Sequence, residues 1–333
     1  MITNRVRLLL IAVILLQLLL GSITALTLPL WEGHESDYYT VTRFLVTEHR
    51  LPTAADYPDG DAEIRQATQP PLYFFAAAPL IALLDDGQPV PYGLHPLPLC
   101  PGADSSAALT TIYSTDRAYN QPTRGTVAAG YALRLLNVIF GAVTVLFTFL
   151  AARVMFPRTP LIALLAAALS AFEPVTARFV VTISNDAFLL AVCAALIWMS
   201  ARVLTRPRLS GRDLVVLLAL ALAAPLIKLP GWAALALAIF VLVYRVITAA
   251  QYRRILLIGL AAVLVITAAI ALFNQAQYGS VLGRYAALGG RLTSLERILN
   301  IPPVVITSVI AHTLNDLRAP LNALQPRAAF ANA

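Results

Sequence analysis

The chain has 333 residues, of which 59% are apolar and only 12% charged, and its mean hydropathy is +0.75. A soluble protein of two ordinary domains would carry more charge, so these values exclude that reading and place the chain in a lipid bilayer. The net charge of +7, from 24 basic and 17 acidic residues, would point to nucleic acid only with arginines crowded on a solvated domain, and no stretch is left to form one.

Arg5 and Arg7 precede an uncharged stretch from Leu8 to Trp31, long enough to cross a hydrocarbon core of about 30 Å at about 1.5 Å per residue. A cleaved signal peptide competes, because the two arginines form a suitable n-region. The stretch exceeds an h-region of about 7 to 15 residues, however, and no small-x-small site closes it. Residues 1–30 therefore read as a first transmembrane helix with a cytoplasmic N-terminus by the positive-inside rule.

Residues 31–133 then form a long external loop, holding twelve of the seventeen acids and five arginines. Within it, Pro71 to Leu84 is apolar for fourteen residues, short for a span. Counting it as one would invert every later loop and put the Arg202 to Arg212 cluster outside, so 71–84 reads as an interfacial or partly re-entrant helix. Pro89 to Pro101 is rich enough in proline to be irregular. Cys100 in this polar stretch and Cys193 in an apolar run have surroundings too different for a stabilising disulfide.

Six further apolar runs follow: Leu135 to Ala152, Thr159 to Phe172, Ala187 to Ala201, Leu214 to Ile227, Trp232 to Tyr244 and Ile255 to Phe273. They make 134–273 transmembrane helices two to seven. Their turns put Arg153, Arg158, Arg202, Arg206, Arg208, Arg212, Arg245, Arg253 and Arg254 on the cytoplasmic side. Spans five and six form a hairpin broken at Lys228-Leu-Pro-Gly, where proline removes a backbone donor and glycine loosens the helix. Residues 274–333 are an external tail unless Ile301 to Ala311 dips into the membrane. The expected fold class is an all-α polytopic membrane protein with about seven transmembrane helices plus an interfacial helix in the first external loop. The positive charge thus reports topology; membrane lipids are expected partners and nucleic acid is not.

Three external places carry ionisable groups that could line a functional mouth. Trp31-Glu-Gly-His-Glu-Ser-Asp-Tyr-Tyr sets Glu32, His34, Glu35 and Asp37 within six residues, a source of general bases or metal ligands; a solvated acidic loop start is the alternative. Gln69-Pro-Pro-Leu-Tyr-Phe-Phe suits a helix entry with Pro71 as a first helical residue, and an aromatic belt anchor explains it equally well. Arg178-Phe-Val-Val-Thr-Ile-Ser-Asn-Asp brings Asp186 to the start of span four, as an active carboxylate or a favourable charge at a helix N-terminus. Arg134 and Lys228, at outer helix ends, could approach the same mouth and suit a phosphate, or simply snorkel.

With Leu51-Pro52, Gln69-Pro70-Pro71-Leu72-Tyr73, Arg134-Leu-Leu-Asn, Ser184-Asn185-Asp186, Lys228 in a helix break and Gln277-Tyr278-Gly279 in this order, the chain resembles the GT-C membrane glycosyltransferases. The family 39 type, similar to protein mannosyltransferases and lipid A aminoarabinose transferase, is the nearest. The resemblance covers most of residues 1–285 and implies transfer of one sugar, with inversion, from a polyprenyl-phosphate donor to an extracytoplasmic lipid, glycan or protein acceptor. It assigns Glu35 as catalytic base or metal-linked carboxylate, with Asp37 able to substitute. Asp186 becomes an active-site or arginine-bracing carboxylate, Arg134 a donor-phosphate or loop-bracing contact, and Lys228 a phosphate ligand. His34 stands where the family commonly has aspartate and could support a metal or a base. No nucleotide is implied, no phosphate-loop signature is present, and a divalent metal is left open as a cofactor.

Family members usually continue through several more helices and often add a soluble domain, so by the resemblance this chain stops short. An inactive or truncated membrane subunit is the first alternative. A transporter is the second, although its polar groups would sit near the midplane of several spans rather than at helix ends. The catalytic reading expects Glu35, Asp186, Arg134 and Lys228 to converge on one outward-facing cavity.

Overall fold

The computed structural model describes residues 4–28, 30–31, 34–52, 69–88, 125–206 and 210–278, together with Asp56 and Ala67. Glu32, Cys100, Gly279, the 301–311 run and most of the tail lie outside the described residues, as does the middle of the first loop. Everything described is helix or connection, with no strand among the described residues. The elements are α1 (Asn4–Thr27), α2 (Glu35–Glu48), α3 (Leu72–Leu84), α4 (Gly125–Met155), α5 (Pro160–Phe172), α6 (Pro174–Val180), α7 (Asp186–Thr205), α8 (Gly211–Ile227), α9 (Gly231–Thr248) and α10 (Arg253–Tyr278).

The distribution of side chains on these helices shows that lipid is their solvent. On α1 the inward residues are Val6, Leu10, Gln17, Gly21 and Ala25, whereas Leu8, Leu9, Leu15, Leu16, Leu19 and Ile23 are exposed. On α5 the inward stripe is Ala163, Ala167 and Ala171, and Leu161, Leu165 and Leu169 face out. Large apolar residues outside and small ones inside reverse the pattern of a water-soluble helix, and small residues let backbones approach closely. Among the described residues five helices, α1, α4, α7, α9 and most of α10, are long and apolar enough to cross a membrane; α5 and α6, bent by 60° at a short break, would together make a sixth. Glu173 and Pro174 set that bend: the Glu173 carboxylate accepts hydrogen bonds from the Val175 and Thr176 N–H groups, and proline at the first helical position lacks the donor that would continue α5.

The central helix is α4, which packs against α1, α3, α5, α6 and α7. Its 31 residues span about 46 Å, more than a hydrocarbon core needs. It starts at Gly125, not near Arg134 as the apolar run suggests, and Arg134 lies in its third turn. The reason is that Thr126, Val127, Ala129, Gly130 and Tyr131 are buried: the first turns are covered by the loop helices, so continuous packing replaces continuous hydropathy. At Gly141 an added Cβ would stand 2.7 Å from both Gln17 Nε2 and Val180 Cγ1, so glycine permits α1, α4 and α6 to meet there.

The segment read as interfacial, 71–84, forms α3 one residue later, and it rests on α2, α4 and α8. Tyr38 and Tyr39 of α2 meet Tyr73 of α3 and Trp31, with ring centroids 5.8 Å apart for Tyr38–Tyr73 and 5.0 Å for Trp31–Tyr39, both edge to face, a favoured arrangement of aromatic quadrupoles. Beyond the aromatic layer, Arg43 of α2 holds Asp85 through Nε and Nη2, each 2.6 Å from a carboxylate oxygen, and donates to Thr126 Oγ1 at 2.8 Å. One guanidinium thus ties α2, the end of α3 and the start of α4. The α8–α9 hairpin breaks at Lys228 to Pro230 as expected; a Cβ on Gly231 would lie 2.0 Å from the Ala224 carbonyl oxygen, so only glycine allows so close a turn.

Candidate functional site

The aromatic layer of α2 and α3 fixes the orientation of the acidic motif. Trp31, at φ 72°, turns the chain between α1 and α2, and its backbone N–H donates to Glu35 Oε2 at 2.9 Å. The first turn of α2 then carries Glu35 inward, where it is 2% exposed. Arg134, fully buried, reaches it in a two-pronged pair, Nε to Oε1 at 2.8 Å and Nη2 to Oε2 at 2.6 Å. The Ile183 N–H adds a bond of 2.8 Å to Oε1, and Arg134 Nη1 donates to the carbonyls of Ala25 and Leu28. Both Glu35 oxygens therefore accept two donors each. The arrangement joins the end of α1, the start of α2, the body of α4 and the strip before α7, and it satisfies both charges without water.

A second polar chain runs beside it. The Tyr38 hydroxyl donates to Asn185 Oδ1 at 2.9 Å, and Asn185 Nδ2 donates to the Ile227 carbonyl at 2.9 Å. Burial first, and then the nearby Asp186 charge, push the Tyr38 phenol above its ordinary pKa, so it stays protonated and holds this bond. Asn137 Nδ2 donates to the carbonyls of Thr182 and Ser184. These bonds fix Thr182 to Asn185 against α2, α4 and the end of α8, and so aim Asp186 and Lys228. Lys228 Nζ meets Asp186 Oδ1 at 2.6 Å, with the two side chains 24% and 23% exposed.

A cavity of about 750 Å³ opens in front of these groups. Its charged end has His34, Glu35, Arg178, Asp186 and Lys228; its walls follow α1 through Leu28, Thr24, Gly21 and Leu20 to Gln17, opposite Ala171, Phe172 and Val180. Gln17 is 4% exposed and its Oε1 has no hydrogen-bond partner. The cavity thus joins a charged mouth to an apolar trough that ends on a carboxamide partway down α1.

Of the residues singled out in the sequence, Glu35, Asp186, Lys228 and His34 line this one cavity. Arg134 stands behind Glu35 and is absent from the lining, so while its pair is intact it braces the loop. Asp37 is buried and also does not line the cavity. It touches His34, Nδ1 to Oδ2 at 3.1 Å, and accepts from Ser36 at 3.3 Å. The His34 side chain is 59% exposed. Sequence reasoning did not assign Tyr38, Asn185 or Gln17. The first two lie inside quoted motifs, and Gln17 is the lone amide in the uncharged α1 stretch. Arg178 was noted only as part of its motif. It lines the cavity; its carbonyl accepts from Thr182 Oγ1 and the Val181 N–H, whereas its guanidinium makes no hydrogen bond or ion pair among the described residues. No group of three or more His, Cys, Asp or Glu suited to a metal ion occurs among the described residues.

No family model, curated protein or solved structure matches the chain.

Proposed function

We propose that this membrane-embedded protein is a glycosyltransferase that moves a sugar from a polyprenyl-phosphate donor to a hydroxyl or amine on an extracytoplasmic lipid, glycan or protein. The observation that carries the reading is the form of the cavity, in which cationic Lys228 and Arg178 stand at the head of an apolar trough along α1. An anionic head on a hydrocarbon tail has the matching polarity. In this reading seven spans place the N-terminus and the arginine-rich turns in the cytoplasm, with the bent α5–α6 pair and α8 completing the count.

The chemistry follows from which groups remain available. Glu35 has no free lone pair directed at a ligand, so its role is to position α2. In this reading His34 donates Nδ1–H to Asp37, which leaves Nε2 as the base that removes the acceptor proton; Asp186 is a carboxylate that lines the same cavity. The acceptor oxygen or nitrogen forms its bond to the anomeric carbon as the bond from that carbon to the phosphate oxygen breaks. The bonding pair leaves with the phosphate, and Lys228 and Arg178 stabilise its charge. Inversion results from a single displacement. No step requires a nucleotide, and a divalent cation remains compatible with the open ends of His34 and Asp186.

The test is transfer from a radiolabelled polyprenyl-phosphate sugar in proteoliposomes. Lys228→Met and His34→Gln should each lower turnover by about 100-fold or more while the protein still folds. Wild-type turnover unchanged by both substitutions would remove the proposed site. A catalytically silent subunit that uses the same cavity to hold a lipid phosphate is the second reading, favoured by His34 where the similar family commonly has an acid. It predicts donor binding that Lys228→Met weakens, with no transfer by any variant.

A further inference from the structure

At the opposite end of α7 from Asp186, a second cavity of about 520 Å³ is lined by Trp198, Met199, Arg202, Arg206, Ser210, Arg212, Asp213 and Val216. Its charge is unbalanced. Three guanidinium groups face one carboxylate, leaving two positive charges. Asp213 already accepts from Arg202 Nη2 at 2.8 Å and Arg206 Nη1 at 3.4 Å, so its single negative charge is shared by two guanidinium groups and does not balance the third, Arg212. The Arg202 guanidinium is held over the Trp198 ring at 4.8 Å, and its Nε is buried with no hydrogen-bond partner. The Arg202 side chain is nevertheless 23% exposed, so part of it stays open to the cavity it lines, where an anion would balance the excess positive charge. The first turn of the 17-residue α8 begins beside it. There Ser210 Oγ takes the Asp213 N–H at 3.1 Å, while the Gly211 and Arg212 N–H groups, like those of any first turn, have no acceptor within the helix.

We propose that this cavity binds a phosphoryl anion, carried by the phosphodiester headgroup of an anionic membrane lipid. The placement argues for the lipid over free phosphate. The cavity lies between the ends of α7 and α8, and its apolar floor of Met199 and Val216, with Trp198 beside it, matches the boundary where hydrocarbon gives way to headgroups. Arg202 would act as the preset inner ligand, fixed by Asp213 and Trp198. Arg206, with its side chain 49% exposed, and the exposed Arg212 would close over the phosphate from outside. The site is separate from the cavity at Asp186 and does not depend on its function.

The measurement is lipid retention by the full chain in detergent, read by native mass spectrometry with phosphatidylglycerol and phosphatidylcholine of the same acyl chains. Wild type should retain phosphatidylglycerol about tenfold over phosphatidylcholine, and the selectivity should fall as salt rises. Arg206→Gln with Arg212→Gln should abolish the preference, whereas Arg206→Lys with Arg212→Lys, which keeps both charges, should preserve most of it. A second arm adds inorganic phosphate. Displacement of phosphatidylglycerol from wild type by millimolar phosphate supports a phosphoryl site open to both sources, and its failure to displace supports a site that needs the lipid. Equal retention of the two lipids by wild type, or equal phosphatidylglycerol retention by wild type and the glutamine pair, overturns the proposal. Should the glutamine pair fail to fold, salt-independent retention by wild type and the lysine pair would overturn it as well.

Discussion

Two ion pairs stand close together where α1, α2, α4 and α7 meet, and they are built in opposite ways. In Arg134–Glu35 the side chains are 0% and 2% exposed and every carboxylate lone pair is used. In Lys228–Asp186 a single bond of 2.6 Å joins side chains that are about one quarter exposed and face a cavity. A buried pair missing one partner leaves an uncompensated charge in a low dielectric, whereas an open pair exchanges its partner for water or ligand at small cost. The contrast separates residues that hold the mouth in shape from residues free to work in it. In the proposed reaction it places Glu35 and Arg134 in the frame of the cavity and leaves Lys228 and Asp186 facing its interior.

The largest effect should come from breaking the buried pair. Arg134→Met leaves Glu35 with two backbone donors but no counter-charge, and Glu35→Gln turns an amide N–H toward donors that need an oxygen. Each is expected to destabilise the fold by about 3–5 kcal/mol, read as a lowered thermal midpoint in detergent. The double substitution Arg134→Met with Glu35→Leu should recover much of that loss, because paired apolar replacement removes the uncompensated charge. A Glu35→Gln protein that melts like wild type would break the distinction, and loss of transfer in a well-folded Glu35→Gln would return Glu35 to the chemistry.

Arg43–Asp85, at the outer edge of the loop helices, is intermediate, with side chains 19% and 9% exposed. Burial alone would raise the Asp85 pKa, but hydrogen bonds from Arg43 and Thr126 outweigh it and hold the carboxyl below its ordinary range. A carboxyl depressed by folding contributes stability above its unfolded pKa and loses it as pH falls through the folded value. The protein should therefore lose about 1–2 kcal/mol from this clamp at acid pH. Arg43→Gln should remove most of that clamp at neutral pH and flatten this acid-dependent part. An unchanged acid profile in Arg43→Gln would assign the loss to other carboxylates.

Much of the fold was legible because lipid imposes long apolar runs, and each expected span contains a helix. What escaped the sequence was set by contacts distant in the chain. The nine residues of α4 before Arg134 include Thr126 and Gly130 and look like loop, yet they are helical because Asp85, Asp86 and Trp31 pack on them. The α5–α6 bend could have been read from Glu173-Pro174, a capping acid followed by proline. In the site, motif order gathered four residues that line one cavity, His34, Glu35, Asp186 and Lys228, but sequence cannot tell a saturated carboxylate from a free one. Glu35 and Asp186 look equivalent until Trp31, Arg134 and Ile183 are seen on the first and, among the described residues, only Lys228 at 2.6 Å on the side chain of the second. Gln17 shows the same limit, since one amide in a leucine-rich helix gives no sign of whether it meets a neighbour or a cavity.

The smallest effect on stability should accompany the largest effect on ligand handling, at Lys228. Its backbone ends α8, with the N–H bonded to the Ala224 carbonyl at 3.3 Å, and this bond is independent of the side chain. Lys228→Met keeps the length and the apolar stem, so the melting midpoint should move by no more than the equivalent of about 1 kcal/mol, the usual range for a partly exposed pair. Asp186 then loses its cation but not its access to water, while an anionic head entering the cavity meets Arg178 alone. Binding of a polyprenyl phosphate, followed by calorimetry in micelles, should weaken by about tenfold or more. If Lys228→Met instead unfolds the protein as Arg134→Met is expected to do, the two pairs are equivalent braces and the cavity has lost its principal anion ligand. If it leaves both stability and lipid-phosphate binding intact, the Lys228–Asp186 pair is incidental to the cavity it faces.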